Sequence, residues 1–368
     1  AMVERGGAEK GDFPRHFADR CIHFSDFVGA VNEELTALFY RRQYNARIRE
    51  NRAAVCRQYA QLSDLLGEAA AELSRELTPD ALGERRLRQR LTEWKLDTRA
   101  CVYRDGRGLL RVELEGSQCS ILTRSSRLNE LSAVLGVPLR VELEGEGTLS
   151  LIQQEPLMAV AGVAARKKNG ETVSGDAGTY FKRHDGKLYL LLCDGMGSGP
   201  DANRESTLAV RLLEQLLQAG VDAPRALTTL SSALALRGEE TGGFTTVDLF
   251  QLDLFTGEGE LFKLGAAPTY IKKNKEVQRL TGKSLPAGLA EGDPAALDRF
   301  SLRLAPGDCV LMMSDGVCPG PEDGWLRERL AGFDGTSPKE LARELVTHDL
   351  KDATDDRTAL VIRVDRRA

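Results

Sequence analysis

An α+β fold is what this sequence predicts: a sandwich of β-sheets flanked by helices, standing behind a long regulatory helix and a small mixed α/β domain. Three observations carry that reading. Hydrophobic strands such as KLYLLLCDG, TTVDLFQLDL, CVLMMSDG and TALVIRVD crowd the chain after Leu157. Two Leu- and Ala-rich helical blocks, Asn203 to Leu217 and Pro224 to Leu236, fall between those strands. Sheets bury a face and helices bury a stripe, so this order suits sheets at the centre with helices outside. Finally, 368 residues exceed what one hydrophobic core serves, which calls for more than one domain.

Residues 1–78 read as a helical regulatory or oligomerisation segment. No proline occurs between Pro14 and Pro79. Apolar residues stand at 24, 28, 31, 35 and 38, then at 48, 55, 59, 62, 66, 69 and 73, mostly in steps of three and four. That spacing averages the 3.5-residue period of a coiled-coil seam, interrupted by charge at 41–52. One helix of about 60 residues would reach on the order of 90 Å, too long for one small core to cover. The stripe either packs on its own domain or, as its length favours, docks against another chain, and a homo-oligomer is expected.

Residues 79–153 read as a small mixed α/β regulatory domain. Leu82, Leu87, Leu91 and Trp94 mark a helix from Leu82 to Leu96. ACVYR and LLRVELE follow as strands around the turn Asp105-Gly106-Arg107-Gly108. A helix from Ser125 stops at Gly136, and LRVELE and TLSLIQ alternate as strands. No catalytic constellation falls here. The remainder, 154–368, opens with the strand LMAVAGVAARK and contains the residues that carry chemistry.

A formal net charge of −5 with no basic stripe argues against nucleic acid as a partner. Seven scattered cysteines without a CxxC pair argue against a disulfide scaffold or a thiolate zinc site, and fit a reducing cytoplasm. Four histidines form no HExxH or HxH pattern, so a metal would have to be held by oxygen. No run of about 18 apolar residues is present, and no signal peptide opens the chain. The start at Ala1-Met2 reads as the edge of a longer protein whose membrane segments precede this piece.

Four acidic sites stand at strand ends or in the turns beside them: Asp176 in VSGDAG, Asp194 in LLLCDGMGSG, Asp315 in VLMMSDGV and the pair Asp355-Asp356 in TDDRTALVI. Glycine follows Asp194 and Asp315 directly, which permits a sharp turn and leaves a carbonyl free to face a cation. Taken singly, an Asp-Gly at a strand end is more often a turn than a ligand. Four of them in one domain point instead to hard divalent cations, Mn²⁺ or Mg²⁺. Two such ions would relieve the mutual repulsion and orient an attacking water. Other acids read differently. Asp248 and Asp253, in the alternating stretch TTVDLFQLDLF, read as surface or edge positions, and Asp201 and Glu205 as caps of the helix that follows.

SGDAG, CDGMGSG, the run FTTVDLFQLDLFTGEGELFKLGAAPTYI, SLPAGL, LAPGDCVLMMSDGV and DDRTALVI follow one another over residues 157–366. In that order they resemble the bacterial PPM-type, type-2C-like serine/threonine phosphatases. The resemblance implies a metal-dependent hydrolase with two ions. Asp194 would bridge them, the Gly195 carbonyl would bind one, and Asp315 and Asp355 would complete the second. Asp176 would act through a bound water, with Asp356 as the companion of Asp355. The arginine that grips phosphate in many eukaryotic members has no clear match; Lys167 and Lys168 stand nearest, though a solvated charge run explains them better. The implied substrate is phosphoserine on an anti-anti-sigma factor, releasing a sporulation sigma factor, with a cell-division protein as partner of the regulatory region. A full-length protein anchored in the membrane is implied as well.

The two helical blocks resemble a switch in this family. Glycines 195, 197 and 199 would serve as hinges for the Gly195 carbonyl, with Leu208, Leu212, Leu216, Leu227, Leu230 and Leu234 as buried contacts. A catalytically inactive scaffold of the same fold is the competing reading, disfavoured by the complete set of acidic motifs. A nuclease-like carboxylate-metal enzyme is disfavoured by the low basic content and the motif order.

Overall fold

The computed structural model describes residues 7–41, 77–241, 244–289, 297–320, 322–349 and 354–367, with side chains 236–241 left aside. The chain divides into two compact units, Ala1–Leu65 and Leu66–Ala368.

In the first unit a helical turn at Arg15–Ala18 is followed, after a break, by a helix from residue 24 to at least 41. The expected continuous helix is thus broken at 19–23. Phe13, Phe17, Phe24 and Phe27 pack edge-on across that break, with ring centroids 5.3–5.8 Å apart. Tilted aromatic pairs of this kind are favourable beyond the area they bury. The seam from 48 to 73 lies outside the described residues.

The second unit holds three five-stranded sheets in which every strand pairing is antiparallel. The first sheet, ordered β1-β2-β3-β5-β4, is built from Thr78–Pro79, Arg99–Arg104, Leu110–Glu115, Thr148–Gln153 and Leu139–Gly145. The helices Ala81–Glu93 and Ser125–Leu135 pack with it around Leu87, Leu91, Val102, Val112, Leu131 and Leu151. The second helix stops at Gly136 in the left-handed conformation, where the sequence placed its end.

The other two sheets face each other. One, ordered β13-β10-β9-β8-β7, comprises Asp298–Arg303, Glu258–Leu264, Thr245–Asp253, Lys187–Gly195 and Asp176–Lys182. Its partner, ordered β12-β11-β14-β15-β6, comprises Glu276–Leu280, Thr269–Lys273, Cys309–Met313, Arg357–Arg366 and Leu157–Arg166. Between them lie Leu190, Leu192, Phe250 and Leu252 from one sheet and Val310, Met312, Leu360 and Ile362 from the other. Helices close the outer faces. Pro200–Gln218 packs on β7 and β8, and Pro338–Thr347 on β6 and β15. The result is a four-layer sandwich, helices–sheet–sheet–helices, as the sequence predicts.

Two expectations shift. The helix Pro200–Gln218 buries Ala202, Ser206, Ala209, Val210, Leu213 and Leu217, whereas Leu208 is exposed and Leu212 and Leu216 are only half-buried. Its N-cap is Gly199, with no side-chain cap, so Asp201 sits in the first turn without capping it. In the neighbouring helix Ala223–Thr241, Leu227, Leu230 and Leu234 are buried as expected.

The first sheet is tied to the sandwich by charge. Arg140 and Lys182 both reach Oε1 of the buried Glu155, at 2.9 and 3.0 Å. Arg107 donates to Asp253 at 2.5 Å and to the Asp185 carbonyl at 3.0 Å.

Candidate metal centre

The antiparallel register brings the acids together. Asp176, first residue of β7, pairs directly with Asp194 near the end of β8, and Asp194 pairs on its other side with Thr246 of β9. Asp315 stands two residues beyond the end of β14, and Asp355 and Asp356 immediately precede β15, the neighbour of β14. Strand ends from two facing sheets therefore present carboxylates to one edge of the sandwich.

Their electrostatics are those of a site short of positive charge. Burial pushes Asp194 up to about 8, and the carboxylates of Asp176, Asp315 and Asp355 push in the same direction. Burial raises Asp176 to about 6, against the lowering pull of the Thr358 and Ser314 hydroxyls. Asp315 is raised by burial and by Asp355. Both oxygens of Asp176 are buried without a donor at hydrogen-bonding geometry. Desolvated and unpaired, a carboxylate favours its protonated form, which is the common cause of these shifts.

The Asp355-Asp356 pair divides by environment. Asp356 is buried, and its two oxygens accept the backbone N–H groups of Lys168 and Gly175 at 2.8 and 2.7 Å. It clamps the loop ahead of β7. Asp355 is half-buried, accepts the N–H of Asp356 at 2.9 Å and repels Asp315 and Asp194. Asp355→Asn is therefore expected to lower activity at least about tenfold with little change in melting temperature, as for a group near the reacting centre. Asp356→Asn is expected to act chiefly on stability, by about 1–3 kcal/mol, because it disturbs two buried amide partners. Melting curves beside turnover check both, and the reverse pattern would exchange the roles.

Gly195 fits where no other residue would. A Cβ there would lie 2.2 Å from the Ala202 carbonyl oxygen, against the backbone of the helix Pro200–Gln218. The Asp194 backbone is held from β9: Thr245 Oγ donates to the Asp194 carbonyl at 2.7 Å, and the Asp194 N–H donates to Thr246 Oγ at 3.2 Å.

Sequence reasoning missed the braces of this loop. Glu171 accepts from Ser198 Oγ at 3.1 Å, and Asn203 Nδ2 donates to the Ser174 carbonyl at 2.8 Å. A polar residue in a helical first turn carries no signal that would single out Asn203.

Among the described residues, no three carboxylate, imidazole or thiolate groups stand close enough to hold one ion alone. Donor chemistry nevertheless suits a hard cation. Mg²⁺ is commonly bound through one or two carboxylates, the rest of its shell being water or substrate phosphate. Here the donors are all oxygen, two of them lack any partner, and a carbonyl adjoins Asp194.

Residues 184–365 match the family model described as Stage II sporulation protein E (SpoIIE). Stage II sporulation protein E of Priestia megaterium is 26% identical over 95% of this chain and 63% of its own length. The Bacillus subtilis (strain 168) protein of that name is 24% identical over 98% of this chain and 46% of its own length. The chain thus spans between about half and just under two thirds of these relatives. The solved PP2C phosphatase domain with a fragment of the regulatory domain of SpoIIE from Bacillus subtilis shares the fold. It superposes with a TM-score of 0.66 at 23% identity, covering 89% of this chain and 98% of that one. Asp194, Asp315 and the Asp355-Asp356 pair fall inside the matched region, and Asp176 lies just ahead of it. Residues 184–365 thus belong to the stage II sporulation protein E family of PPM-type serine phosphatases, and the chain as a whole is similar to proteins of that name.

Proposed function

We propose that this chain hydrolyses phosphoserine esters with the help of two divalent cations, Mn²⁺ or Mg²⁺, at the edge where Asp176, Asp194, Asp315 and Asp355 meet. The observation that carries the reading is the Asp176–Asp194 pair: a buried and a half-buried carboxylate opposed across neighbouring strands, with both Asp176 oxygens lacking a donor. Asp194, the Gly195 carbonyl, Asp315 and Asp355 are the groups that would hold the ions, with Asp176 acting through water. When bound, such ions polarise a phosphoryl oxygen and make water nucleophilic near neutral pH. The protein's own part is to fix the carboxylates on strand ends, to set the Gly195 carbonyl and to exclude bulk water behind Asp176.

The motif resemblance, together with the sporulation named in its relatives, supports a finer reading. The substrate would be a phosphorylated anti-anti-sigma factor, its dephosphorylation releasing a sporulation sigma factor, with a cell-division protein docking through the N-terminal regulatory region. On the same reading the full-length protein is membrane-anchored, its catalytic part lies in the cytoplasm, and residues 1–78 mediate self-association. The test is release of phosphate from a phosphoserine anti-anti-sigma factor with and without Mn²⁺. A phosphoprotein left intact in the presence of Mn²⁺, while p-nitrophenyl phosphate is cleaved, would keep the chemistry and remove the substrate.

The raised carboxylates make metal binding pH-dependent with a definite sign. Both shifts are upward, so the metal-free fold is penalised as these groups ionise, from about pH 4 up through their folded values near 6 and 8. Protons compete with cations below that window and are released above it. The rise in melting temperature on adding Mn²⁺ is expected to be larger at pH 8 than at pH 5.5. An equal or larger rise at pH 5.5 contradicts the assignment of these acids as the binding groups.

A further inference from the structure

Asp248 is almost wholly buried, 1% exposed, and so corrects the surface position its alternating strand suggests. Central strand β9 is covered on both faces: Val247, Asp248, Leu249 and Phe250 are all buried. Asp248 stands two residues beyond Thr246, the cross-strand partner of Asp194, and therefore points to the same face of the sheet. Its own cross-strand partner is Lys263 of β10, which is fully buried.

One oxygen of Asp248 is fully engaged. Lys263 Nζ approaches Oδ2 at 2.8 Å, and Thr269 Oγ donates to the same oxygen at 2.7 Å. Lys263 also donates to Thr269 Oγ at 2.8 Å, so the three close a ring that crosses from one sheet to the other. The second oxygen, Oδ1, is buried with no hydrogen-bond partner. Asp248 lines a cavity of about 50 Å³ whose wall also includes Asp194, Asp315, Thr246 and Ser314. That space holds roughly three waters.

Stability alone does not account for this arrangement. A buried ion pair seldom outperforms apolar side chains of the same size, because desolvation offsets its attraction. A buried carboxylate oxygen left bare costs a further 1–3 kcal/mol or so. Water in the cavity would remove that second cost, and the cavity lies between Asp248 and two of the acids that would hold the cations.

We propose that Asp248 is a positioning residue of the site: fixed by Lys263 and Thr269, it accepts from and orients water in the cavity shared with Asp194 and Asp315. Lys263 pairs with the group inside the sandwich, and Thr269 sets its rotation. Asp248 touches neither substrate nor the carboxylates; it acts through the water. The inference rests on the phosphatase reading given above.

The test is steady-state kinetics of the whole chain on p-nitrophenyl phosphate and a phosphoserine peptide at saturating Mn²⁺, with calorimetric Mn²⁺ titration alongside. Asp248→Asn keeps the size and turns an acceptor toward the cavity into a donor. Loss of an outer partner of this kind lowers turnover about 10- to 100-fold, and kcat is expected to fall by that amount. KM and Mn²⁺ affinity should stay within about threefold of wild type, a split that a general loosening of the core would not give. Thr269→Val should lower kcat in the same way, and Thr269→Ser, which keeps the hydroxyl, should restore it. Should Asp248→Asn fail to fold, the two Thr269 variants decide by the same criterion. Wild-type kcat in Asp248→Asn, or Thr269→Ser as slow as Thr269→Val, overturns the proposal while the phosphatase reading stands. If wild type cleaves neither ester with Mn²⁺, the phosphatase reading fails and takes this one with it.

Discussion

Replacing Asp194 by Asn is expected to lower Mn²⁺-dependent phosphatase turnover at least about 100-fold, equivalent to roughly 2.7 kcal/mol of barrier. The same change is expected to raise the melting temperature of the metal-free protein. Asp194 is pushed up to about 8 because burial and three neighbouring acids oppose its charge, and the amide removes that opposition. The stabilising shift that Mn²⁺ gives the wild type should then be lost. Activity and stability thus move in opposite directions, which separates a functional role from a structural one. A folded Asp194→Asn protein with unchanged turnover would remove the cluster from the mechanism.

The second large effect is on folding, away from the site. Gly162 lies in the middle of β6, where the helix Pro338–Thr347 crosses it. A Cβ at Gly162 would stand 2.2 Å from both the Lys339 nitrogen and the Pro338 carbonyl carbon, which are main-chain atoms. Neither can step aside as a flexible side chain would, so the helix must lift from the sheet. Leu341, Leu345 and Val346 are buried in the cluster under that helix together with Ala359 and Val361. Gly162→Ala is expected to cost on the order of 3 kcal/mol. The melting temperature should fall by roughly 6–10 °C, as read by calorimetry. An unchanged melting temperature would mean the helix does not sit as close as described.

The sandwich was legible because its strands are short hydrophobic runs bounded by Gly, Pro and Asp, as in CVLMMSDG, whose five strand residues are all buried. Asp194, Asp315 and Asp355 were legible because strand-end acids followed by glycine, or by a strand, stand out against an apolar background. Burial on both faces hid the rest. Period-two alternation marks a strand with one wet face, but the run Val247 to Phe250 is buried on both faces, so the alternating pattern made Asp248 look like a solvent position where none exists. The helix Pro200–Gln218 was misphased for a related reason. Its leucines drew attention to Leu208 and Leu212, yet the close approach of helix to sheet is made by the small residues Ala202, Ser206 and Ala209. Strands β12 and β13, with exposed polar residues at alternate positions, carried too few apolar residues to register, whereas the two helices after Asp315 carried Leu326 and Leu330 in one and Leu341, Ala342, Leu345 and Val346 in the other and went unread. The different environments of Asp355 and Asp356 needed coordinates, since only the amides of Lys168 and Gly175 distinguish two adjacent identical side chains.

The central claim is that strand-end carboxylates from two facing sheets bind the cations that drive phosphoester hydrolysis. Anomalous diffraction from crystals of this chain grown with Mn²⁺ tests it most directly. Two manganese peaks are expected within coordination distance of Asp194, the Gly195 carbonyl, Asp315 and Asp355, with none on Asp356. Manganese bound elsewhere, or no manganese at the cluster at a concentration that supports turnover, would contradict the account.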